Sequence, residues 1–165
     1  MSGTKGAFSG EKRNDRLIHE HVHDPYQNRK NLPEPACCPE CSAVLEKGRW
    51  RRGEKPTNSH EATCPACSRT RDNCPAGIIR LSGNFLAGRG EELINLARNE
   101  EVSERAEHPL HRIMAIDDGK DKIEIRTTDI HLPRRIGHAL ERAFDGTLEI
   151  NYDKEAYFVR VNWNR

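Results

Sequence analysis

The chain carries the tetrapeptide Cys38-Pro39-Glu40-Cys41 and, after 22 intervening residues, a second one of the same pattern, Cys64-Pro65-Ala66-Cys67. Each pair of cysteines can form a tight turn that points two sulfurs at one ion, and the intervening segment is long enough for a hairpin that brings the turns together. Each proline favours such a turn because it fixes one backbone dihedral angle and has no N–H to satisfy. The spacing predicts a zinc ribbon whose four cysteines bind one structural Zn²⁺ ion.

Two other interpretations of the cysteines are disulfide bonds and a thioredoxin-like redox motif. A thioredoxin-type site needs one Cys-x-x-Cys pair that opens a helix after a buried strand, whereas this chain has two pairs in polar, proline-containing stretches. Four thiolates around zinc leave no open position for water, so the ion is expected to stabilise the fold and not to catalyse hydrolysis. Cys37 and Cys74 lie outside the pairs, and we expect neither to be a ligand.

The composition indicates a small apolar core. Charged residues make up 32% and aromatic residues 5% of the 165 residues, and the mean hydropathy is -0.88. Such a composition predicts that part of the chain does not fold on its own. A chain of this length holds one ordinary domain, or a metal module joined to a larger domain, and the clustered cysteines favour the second arrangement.

The sequence contains no candidate membrane segment. No apolar run approaches the roughly 20 residues that span a bilayer, and the N-terminus lacks the apolar stretch of a signal peptide. We therefore expect a cytoplasmic protein with reduced thiols and no membrane partner.

The N-terminal residues predict a flexible polar and basic arm over residues 1–34. They are rich in Gly, Ser, Lys, Arg, Asn and His and show no sustained apolar period. The arm contains His19, His21 and His23, and alternating histidines on an extended strand can bind a metal, although such clusters in arms are more often only polar. Leu32-Pro33-Glu34-Pro35 then stiffens the entry to the zinc ribbon, which we expect over residues 35–82.

A basic stretch lies between the two cysteine pairs. The segment Lys47-Gly48-Arg49-Trp50-Arg51-Arg52-Gly53-Glu54-Lys55 places five cationic side chains around one tryptophan. At a hairpin tip, an exposed Trp50 could stack on an unpaired base while the cations contact phosphate groups. The other interpretation is that Trp50 covers the small zinc core with the arginine stems packed around it, and both can hold together. The predicted RNA contacts here are Lys47, Arg49, Trp50, Arg51, Arg52 and Lys55.

The charge of the chain is divided unevenly between its halves. Residues 1–90 contain 15 Lys and Arg against 10 Asp and Glu, a balance of +5, while residues 91–165 contain 12 against 16, a balance of -4. A modest basic excess is common on solvated surfaces. The arrangement of the cations around Trp50, and not their total, therefore supports the RNA hypothesis.

The last part of the chain predicts an α+β domain over residues 83–165. Before it, Ile78-Ile79-Arg80-Leu81 is expected to be the last strand of the ribbon. The order helix, strand, strand then occurs twice, with Asp118-Gly119 as a hairpin turn and Asp129 as a helix N-cap. The predicted elements are a helix over residues 91–106, strands over 110–116 and 122–128, a helix from 129 to near 146, and strands over 147–152 and 156–163. Four mostly antiparallel strands covered on one side by two helices make a two-layer αββαββ fold.

The second of these helices is predicted to be amphipathic. Its apolar stripe consists of Leu132, Ile136, Leu140 and Ala143. Its basic face consists of His131, Arg134, Arg135, His138 and Arg142. This face is either an RNA backbone contact or an ordinary solvated surface. We include Arg134, Arg135 and Arg142 among the predicted RNA contacts because two basic patches would hold a folded RNA better than one.

Several further stretches accompany the two cysteine pairs. They are the Gly48-Arg49-Trp50 insert, Pro75-Ala76-Gly77-Ile78-Ile79-Arg80-Leu81, His108-Pro109-Leu110-His111-Arg112-Ile113-Met114 and Thr127-Thr128-Asp129-Ile130-His131-Leu132. With these motifs the chain, from about Asp15 to its C-terminus, resembles a family of short, uncharacterised bacterial zinc-ribbon proteins. This resemblance implies the zinc ribbon and says little about activity.

A more distant resemblance concerns the cysteine pairs and the strand that ends in Arg80-Leu81. Followed by an α+β segment, they are similar to the N-terminal region of the archaeal and eukaryotic adaptor family that takes part in export of the large ribosomal subunit. That likeness implies binding to RNA or to the ribosome. The chain departs from the adaptors because it has two Cys-x-x-Cys pairs where they have four, and because Ser42 and Ser68 replace the glycine that commonly follows a pair. A specific export or assembly role is therefore not implied.

The leading functional prediction is a non-enzymatic zinc-binding protein that binds structured RNA, with ribosomal RNA as the first candidate. An alternative is a zinc-stabilised adaptor for protein–protein interaction, in which the basic patches meet an acidic partner. An unrecognised enzyme is the third interpretation, and the sequence contains no recognisable nucleophile motif, phosphate loop or open metal triad to support it.

Overall fold

A computed structural model describes residues 23–27 and 32–165 of the chain. Most of the predicted N-terminal arm, with His19 and His21, lies outside the described residues. His23 opens the first described segment and is exposed.

The first half of the described chain forms a small four-stranded sheet that bears the cysteines. Its strands are β1 (Ala36–Cys37), β2 (Val44–Glu46), β3 (Arg49–Arg51) and β4 (His60–Glu61). The order across the sheet is β3-β2-β1-β4, with β1 and β4 parallel and the other neighbours antiparallel. Lys47 and Gly48 turn the chain between β2 and β3 with φ angles of 51° and 73°, as a two-residue hairpin turn requires. We call residues 36–71 the cysteine module.

The first cysteine pair forms the predicted tight turn. The backbone N–H of Ser42, directly after the pair, donates to the carbonyl of Cys38 at 2.9 Å. Ser42 has a φ angle of 62°, in the left-handed region. Glycine adopts this conformation without steric cost, which explains the usual preference for glycine at this position and makes Ser42 a tolerated exception.

The second cysteine pair opens a short helix that the sequence did not predict. Helix α1 (Pro65–Arg71) follows Cys64, whose sulfur caps the helix by accepting the backbone N–H of Cys67. Pro65 occupies the first turn, where its missing N–H leaves no hydrogen bond unmade. The two pairs, similar in sequence, therefore present their sulfurs from different backbone structures.

Residues 23–27 pack on α1. The Asp24 carboxylate pairs with the Arg69 guanidinium at 2.6 Å, and both side chains are almost completely buried. The same guanidinium lies 4.4 Å from the centroid of the Tyr26 ring, and the Tyr26 hydroxyl donates to Asp72 at 3.1 Å. This described part of the predicted arm is thus attached to the cysteine module.

The second half of the chain forms an α+β unit with a five-stranded sheet. Its elements are β5 (Gly77–Ser82), α2 (Gly90–Glu107), β6 (Ile113–Asp118), β7 (Lys122–Thr127), α3 (His131–Phe144), β8 (Thr147–Tyr152) and β9 (Val159–Asn164). The order across the sheet is β6-β7-β5-β9-β8; β5 and β9 are parallel and the other neighbours antiparallel. The predicted α+β class, the mostly antiparallel sheet and the repeated order helix, strand, strand are confirmed. We call residues 77–164 the α+β unit.

One strand belongs to a different sheet from the one predicted. The stretch Ile78–Leu81, expected as the last strand of the ribbon, is part of β5, the central strand of the larger sheet. Ile79 and Leu81 are fully buried in the larger core. The alternating pattern predicts a strand here but does not name its partners, because β7 and β9 lie far along the chain. The larger sheet therefore begins before the expected boundary at residue 82 and has five strands where four were expected.

The larger core lies between the sheet and helices α2 and α3. Alternate strand residues face the helices, in keeping with the two-residue period of a strand. Those with almost no exposed surface are Ile79, Leu81, Ile123, Ile125, Val159, Val161 and Trp163. On α3, the predicted stripe residues Leu132, Ile136 and Leu140 are buried. Ala143, also predicted for the stripe, is exposed, and Phe144 packs against the core in the last turn.

The opposite face of the larger sheet is polar. Arg80 on β5 and Arg160 on β9 are exposed there, and Arg80 pairs with Glu124 on β7 at 3.0 Å. Polar side chains also cover much of α2 and α3. Among the described residues, no helix combines the length and the apolar character needed to cross a membrane.

Candidate metal centre

The four predicted metal ligands come together at one point of the cysteine module. The sulfurs of Cys38, Cys41, Cys64 and Cys67 all lie within 4.8 Å of one another, and those of Cys41 and Cys64 are 3.6 Å apart. Sulfurs at the corners of a tetrahedron are about 3.8 Å apart when each Zn–S bond is about 2.3 Å. Among the described residues, no other group of three or more His, Cys, Asp or Glu side chains has the dimensions of a metal site. The geometry therefore identifies a four-cysteine group able to hold one metal ion.

The disulfide interpretation is wrong for the described residues. All six cysteines are free thiols, and a disulfide would require two sulfurs about 2.0 Å apart. Cys37 is buried and Cys74 is exposed. Both lie outside the four-cysteine group.

Hydrogen bonds and burial act differently on the thiols of the group. The backbone N–H of Cys64 donates to the Cys38 sulfur at 3.3 Å, and that of Cys67 donates to the Cys64 sulfur at 3.4 Å. Burial alone would raise the pKa of Cys38, but backbone N–H groups, that of Cys64 foremost, lower it below its ordinary value. Burial raises the pKa of Cys64, and the neighbouring sulfurs of Cys41 and Cys38 add to the effect. A metal ion must displace protons from such thiols, so its affinity rises with pH.

The donor set fits a structural zinc ion. Zn²⁺ favours tetrahedral coordination and binds thiolate sulfur, whereas Ca²⁺ and Mg²⁺ take oxygen ligands. The sulfurs of Cys38 and Cys64 belong to fully buried residues, and Cys41 is half-buried. Four thiolates fill the coordination sphere, so a zinc ion here has no open position for a reacting water.

No family model, curated protein or solved structure matches the chain. The four-cysteine group identifies a metal site, and it does not identify a family. The resemblances to the bacterial zinc-ribbon proteins and to the ribosome adaptors therefore stay predictions from their motifs.

An arginine of the α+β unit lies against the four-cysteine group. The Nη2 atom of Arg112 is 3.2 Å from the Cys64 sulfur, 3.4 Å from the Cys67 sulfur and 3.8 Å from the Cys41 sulfur. Burial alone would lower the pKa of Arg112, but the hydrogen bond to Cys67 and the charge of the nearby thiolates hold it above its ordinary value. The sequence pattern gives no sign of this contact, because Arg112 follows the last cysteine of the group by 45 residues.

Hydrogen bonds fix the position of Arg112 within the α+β unit. Its backbone N–H donates to the Thr128 hydroxyl at 2.9 Å, and its carbonyl accepts the N–H of Thr128 at 2.9 Å. The N–H of the next residue, Ile113, donates to the Glu101 carboxylate on α2 at 2.9 Å. Leu110 packs against the core of the cysteine module. This short segment thus touches the module while it is held firmly by the α+β unit.

Three histidines stack beside the same segment. The ring centroids of His108 and His111 are 4.7 Å apart, and those of His111 and His131 are 5.4 Å apart. The Nδ1 atom of His111 lies 2.8 Å from the Glu104 carboxylate and 3.5 Å from that of Asp129. A metal lies near the plane of each imidazole that binds it, so rings stacked face to face do not share one ion. Their contacts instead join the end of α2 to the start of α3.

The predicted RNA contacts on the β2–β3 hairpin and the following loop are at the surface. The exposed cations are Lys47, Arg49, Arg51, Arg52 and Lys55. Arg51 pairs with Glu46, with its Nε 3.1 Å from the carboxylate, and the other four have no ion pair with a described residue. Trp50 lies in β3 opposite Leu45, not at the hairpin tip, and is half-buried against the cysteine core. The packing of Trp50 on the cysteine core is therefore confirmed, whereas the arginines expected to pack around it are exposed. The contact of Trp50 with RNA stays a prediction.

The predicted contacts on α3 are in different environments. Arg135 bonds to Glu100 at 2.6 Å and to Glu104 at 2.8 Å, which ties α3 to α2. Arg142 is exposed and Arg134 is half-buried, and within the described chain neither has an ion-pair partner. Arg135 is thus engaged inside the protein, while Arg134 and Arg142 stay candidates.

Proposed function

We propose that the protein holds one structural Zn²⁺ ion in its four-cysteine group and binds structured RNA through the basic β2–β3 hairpin and the loop that follows it. The zinc ion has no catalytic role in this proposal, because four thiolates occupy all of its coordination positions. The observation that supports the RNA part most strongly is the set of exposed cations on this hairpin and loop that form no ion pair with a described residue.

The hairpin presents its cations on a supported strand. Residues of β3 alternate between the two faces of the small sheet, so Arg49 and Arg51 point away from the side on which Trp50 packs. The turn at Lys47 and Gly48 fixes the register of β2 and β3. The half-buried Trp50 therefore holds the strand while its flanking arginines face outward.

The local charge favours a polyanionic partner. Residues 43–55 contain five cations and two carboxylates, Glu46 and Glu54, which leaves a balance of +3. Arg51 alone among the five cations is paired with a described carboxylate. Guanidinium groups form paired hydrogen bonds with phosphate oxygens. Exposed cations that pair with no described carboxylate can therefore bind phosphates without breaking an ion pair of the described chain.

The test is a charge-removal variant with a matched control. The hairpin variant carries Arg49→Ala, Arg52→Ala and Lys55→Ala; the control carries Arg98→Ala, Lys120→Ala and Lys154→Ala, three exposed cations of the α+β unit. We expect the hairpin variant to bind ribosomal RNA fragments at least about tenfold more weakly than the wild type. The slope of the logarithm of its association constant against the logarithm of the salt concentration should be shallower by up to about 3. The control should bind like the wild type.

Retained zinc is required for the interpretation. A hairpin variant that holds one zinc ion per chain and still binds RNA as tightly as the wild type contradicts the assignment of this surface. A loss of RNA binding that is equal in the control variant would mean that general charge, and not the hairpin, attracts RNA.

A protein adaptor is the second candidate function. Strand β3 is an edge of the small sheet, and an edge strand can pair with an extended segment of a partner. An acidic segment would also match the local charge. Crosslinking and immunoprecipitation from the native cell, with and without nuclease, separates the two functions. Discrete RNA sites crosslinked near Trp50 support RNA binding, whereas one protein recovered after nuclease treatment, without RNA, supports the adaptor.

A further inference from the structure

We propose that Arg112 is part of the metal centre: its guanidinium caps one face of the four-cysteine cage, so that metal binding and the docking of the cysteine module on the α+β unit depend on each other. This inference rests on the zinc part of the proposed function and is independent of RNA.

The guanidinium lies outside the cage and not at its centre. An atom at the centre of four thiolates is about 2.3 Å from each sulfur, whereas the closest of the three sulfurs is 3.2 Å from Nη2. The sulfurs that Nη2 contacts belong to Cys41, Cys64 and Cys67, which form one triangular face. Arg112 therefore leaves the centre free for the ion.

The charge of the cage favours a cation on its face. The formal charge of a Zn²⁺ ion with four thiolates is -2, because each thiolate carries one negative charge. Hydrogen bonds from a cation to an anionic acceptor are stronger than neutral ones, and a buried setting screens them little. Arg112 is half-buried, and its Nε atom is buried with no hydrogen-bond partner among the described residues. The contacts of Nη2 with the three sulfurs therefore compensate for hydrogen bonds to water that the buried part of the guanidinium has lost.

The arginine is held from the side of the α+β unit. Thr128 bonds to both the N–H and the carbonyl of Arg112, and Glu101 on α2 bonds to the N–H of Ile113. The backbone of Arg112 is therefore anchored on the α+β unit, so a movement of the cysteine module would change the contact between the guanidinium and the sulfurs. A contact between the metal cage on one side and a residue anchored in the α+β unit on the other couples the two parts of the protein.

The coupling must act in both directions. If the docked α+β unit raises zinc affinity through Arg112, zinc raises the stability of the docked contact by the same factor. Removal of the ion should therefore loosen the segment around Arg112, which also carries Leu110 on the module core.

The effect of Arg112 on zinc affinity is tested by metal competition. Full-length zinc-loaded chains are titrated with a chromophoric chelator, after metal analysis has established that the wild type holds zinc. Replacing a group in the surroundings of a metal site weakens binding about 10- to 100-fold, and we expect this for Arg112→Ala. Arg112→Lys should lie between Arg112→Ala and the wild type, because it keeps a charge but not the planar guanidinium. The control Arg80→Ala, which removes an exposed arginine of β5 in the larger sheet, should not change zinc affinity.

The effect of zinc on the stability of the docked contact is tested by hydrogen exchange. In the wild type, chelation should speed exchange of the Arg112, Ile113 and Thr128 amides, which are bonded in the docked state. In Arg112→Ala these amides should exchange faster even with zinc bound, and chelation should change them less. Should Arg112→Ala fail to fold, the same measurements on Arg112→Lys decide the matter.

The outcomes separate this inference from the function it rests on. A wild-type chain that binds no zinc would overturn both. A wild type that binds zinc, together with arginine variants whose zinc affinity stays within about twofold of it and wild-type amides indifferent to chelation, would overturn the role of Arg112 alone.

Discussion

Cys64 has two structural roles, since its sulfur belongs to the four-cysteine group and also caps α1. Serine is a good N-cap residue but supplies no thiolate, so Cys64→Ser removes a metal ligand and leaves the helix cap in place. We expect zinc affinity to fall by more than about 100-fold and the cysteine module to unfold. Metal content after dialysis and circular dichroism measure both effects.

The matched control is Cys74→Ser, because Cys74 is exposed and lies outside the group. It should retain zinc and wild-type stability. A Cys64→Ser chain that keeps a full equivalent of tightly bound zinc would show that the ligand set is different.

Asp129 caps α3 from within the core, as its position before the amphipathic helix predicts. Its Oδ2 accepts the N–H of His131 at 2.6 Å and that of Leu132 at 3.0 Å. Asp129→Ala should lower the free energy of unfolding by about 1 to 2 kcal/mol. Asp129→Asn keeps an acceptor oxygen and should cost less. Urea unfolding at pH 7 compares the three proteins, and equal losses in both variants would argue against the cap.

The same carboxyl gives the stability of the protein a pH dependence. Burial raises the pKa of Asp129, and His111 and the first N–H groups of α3 offset this only in part. When a carboxyl has a higher pKa in the folded protein than in the unfolded chain, the folded protein loses stability as the pH rises above the unfolded pKa of about 3.9. The loss ends once the carboxyl is ionised in the folded protein too. Wild type should therefore lose stability relative to Asp129→Asn as the pH rises above about 4. Acid releases zinc from both proteins, so this effect cancels in the difference between their stabilities. A wild type that gains stability relative to Asp129→Asn as the pH rises would contradict the effect of burial on Asp129.

At the residue scale, the sequence predicted residues that belong to local patterns, and it did not predict contacts between the cysteine module and the α+β unit. The four cysteines and the Asp129 cap could be predicted because each belongs to a short motif with a known spacing. Arg112 could not be predicted, because its contact with the sulfurs depends on how two separately folded parts of the chain meet. Trp50 had two open interpretations, and only its packing on the cysteine core is visible in the structure.

Helix α3 depends on a glycine that permits close packing on the sheet. A Cβ at Gly137 would lie 2.8 Å from Leu148 Cδ1 and 2.9 Å from Val161 Cγ1. Alanine favours a helix over glycine by about 1 kcal/mol, but overpacking a core costs about 1 to 3 kcal/mol. We expect Gly137→Ala to be destabilising overall in urea unfolding. Its control is Gly53→Ala, where the added Cβ meets only the Arg51 side chain; a Gly137→Ala chain more stable than the wild type would contradict this packing.

At the scale of elements, period and turn chemistry located most of the α+β unit. Strand β8 (Thr147–Tyr152) has the predicted bounds, and α2 (Gly90–Glu107) differs from its prediction by one residue at each end. Helix α1 was missed because its seven residues contain no apolar period. The sheet of β5 was assigned wrongly because neighbours in sequence do not decide which strands pair.

The described part of the chain contains two separate cores of unequal size. Among the described residues, the buried members of the smaller core are Cys38, Ala43, Cys64, Ala66 and Cys67. Three of these five are metal-site cysteines, and the other buried apolar residues of the module's strands are Ala36, Cys37, Val44 and Leu45. This is little apolar surface to hold the cysteine module without an ion. The larger core contains fully buried aliphatic side chains and Trp163. The cysteine module should therefore depend on the metal, and the α+β unit should not.

Tryptophan fluorescence can separate the two units, because the chain has two tryptophans, Trp50 on the module and Trp163 in the larger core. Trp163 is 0% exposed and its indole N–H donates to the Asp145 carbonyl at 2.8 Å. We expect chelation to shift wild-type emission to longer wavelength as Trp50 becomes exposed. In Trp50→Phe, the emission of Trp163 should stay unchanged on chelation. A red shift in Trp50→Phe would mean that the larger core also needs the ion.

At the scale of the whole molecule, the sequence predicted two parts and not their connection. Clustered cysteines followed by a repeated helix, strand, strand order indicated a metal module before an α+β domain. The connection runs through Leu110 and Arg112 and, on another part of the module, through Arg69, whose guanidinium carbon lies 5.7 Å from the centroid of the Tyr157 ring. These contacts join residues distant in the chain, and no local period records them.

X-ray absorption at the zinc edge tests the metal centre most directly, with metal analysis of the full chain purified without added zinc. We expect one zinc ion per chain, surrounded by four sulfur atoms at about 2.3 Å and by no nitrogen or oxygen ligand. Fewer than four sulfurs, a nitrogen or oxygen ligand in the first coordination shell, or a chain that folds fully without any metal would contradict the four-cysteine zinc site.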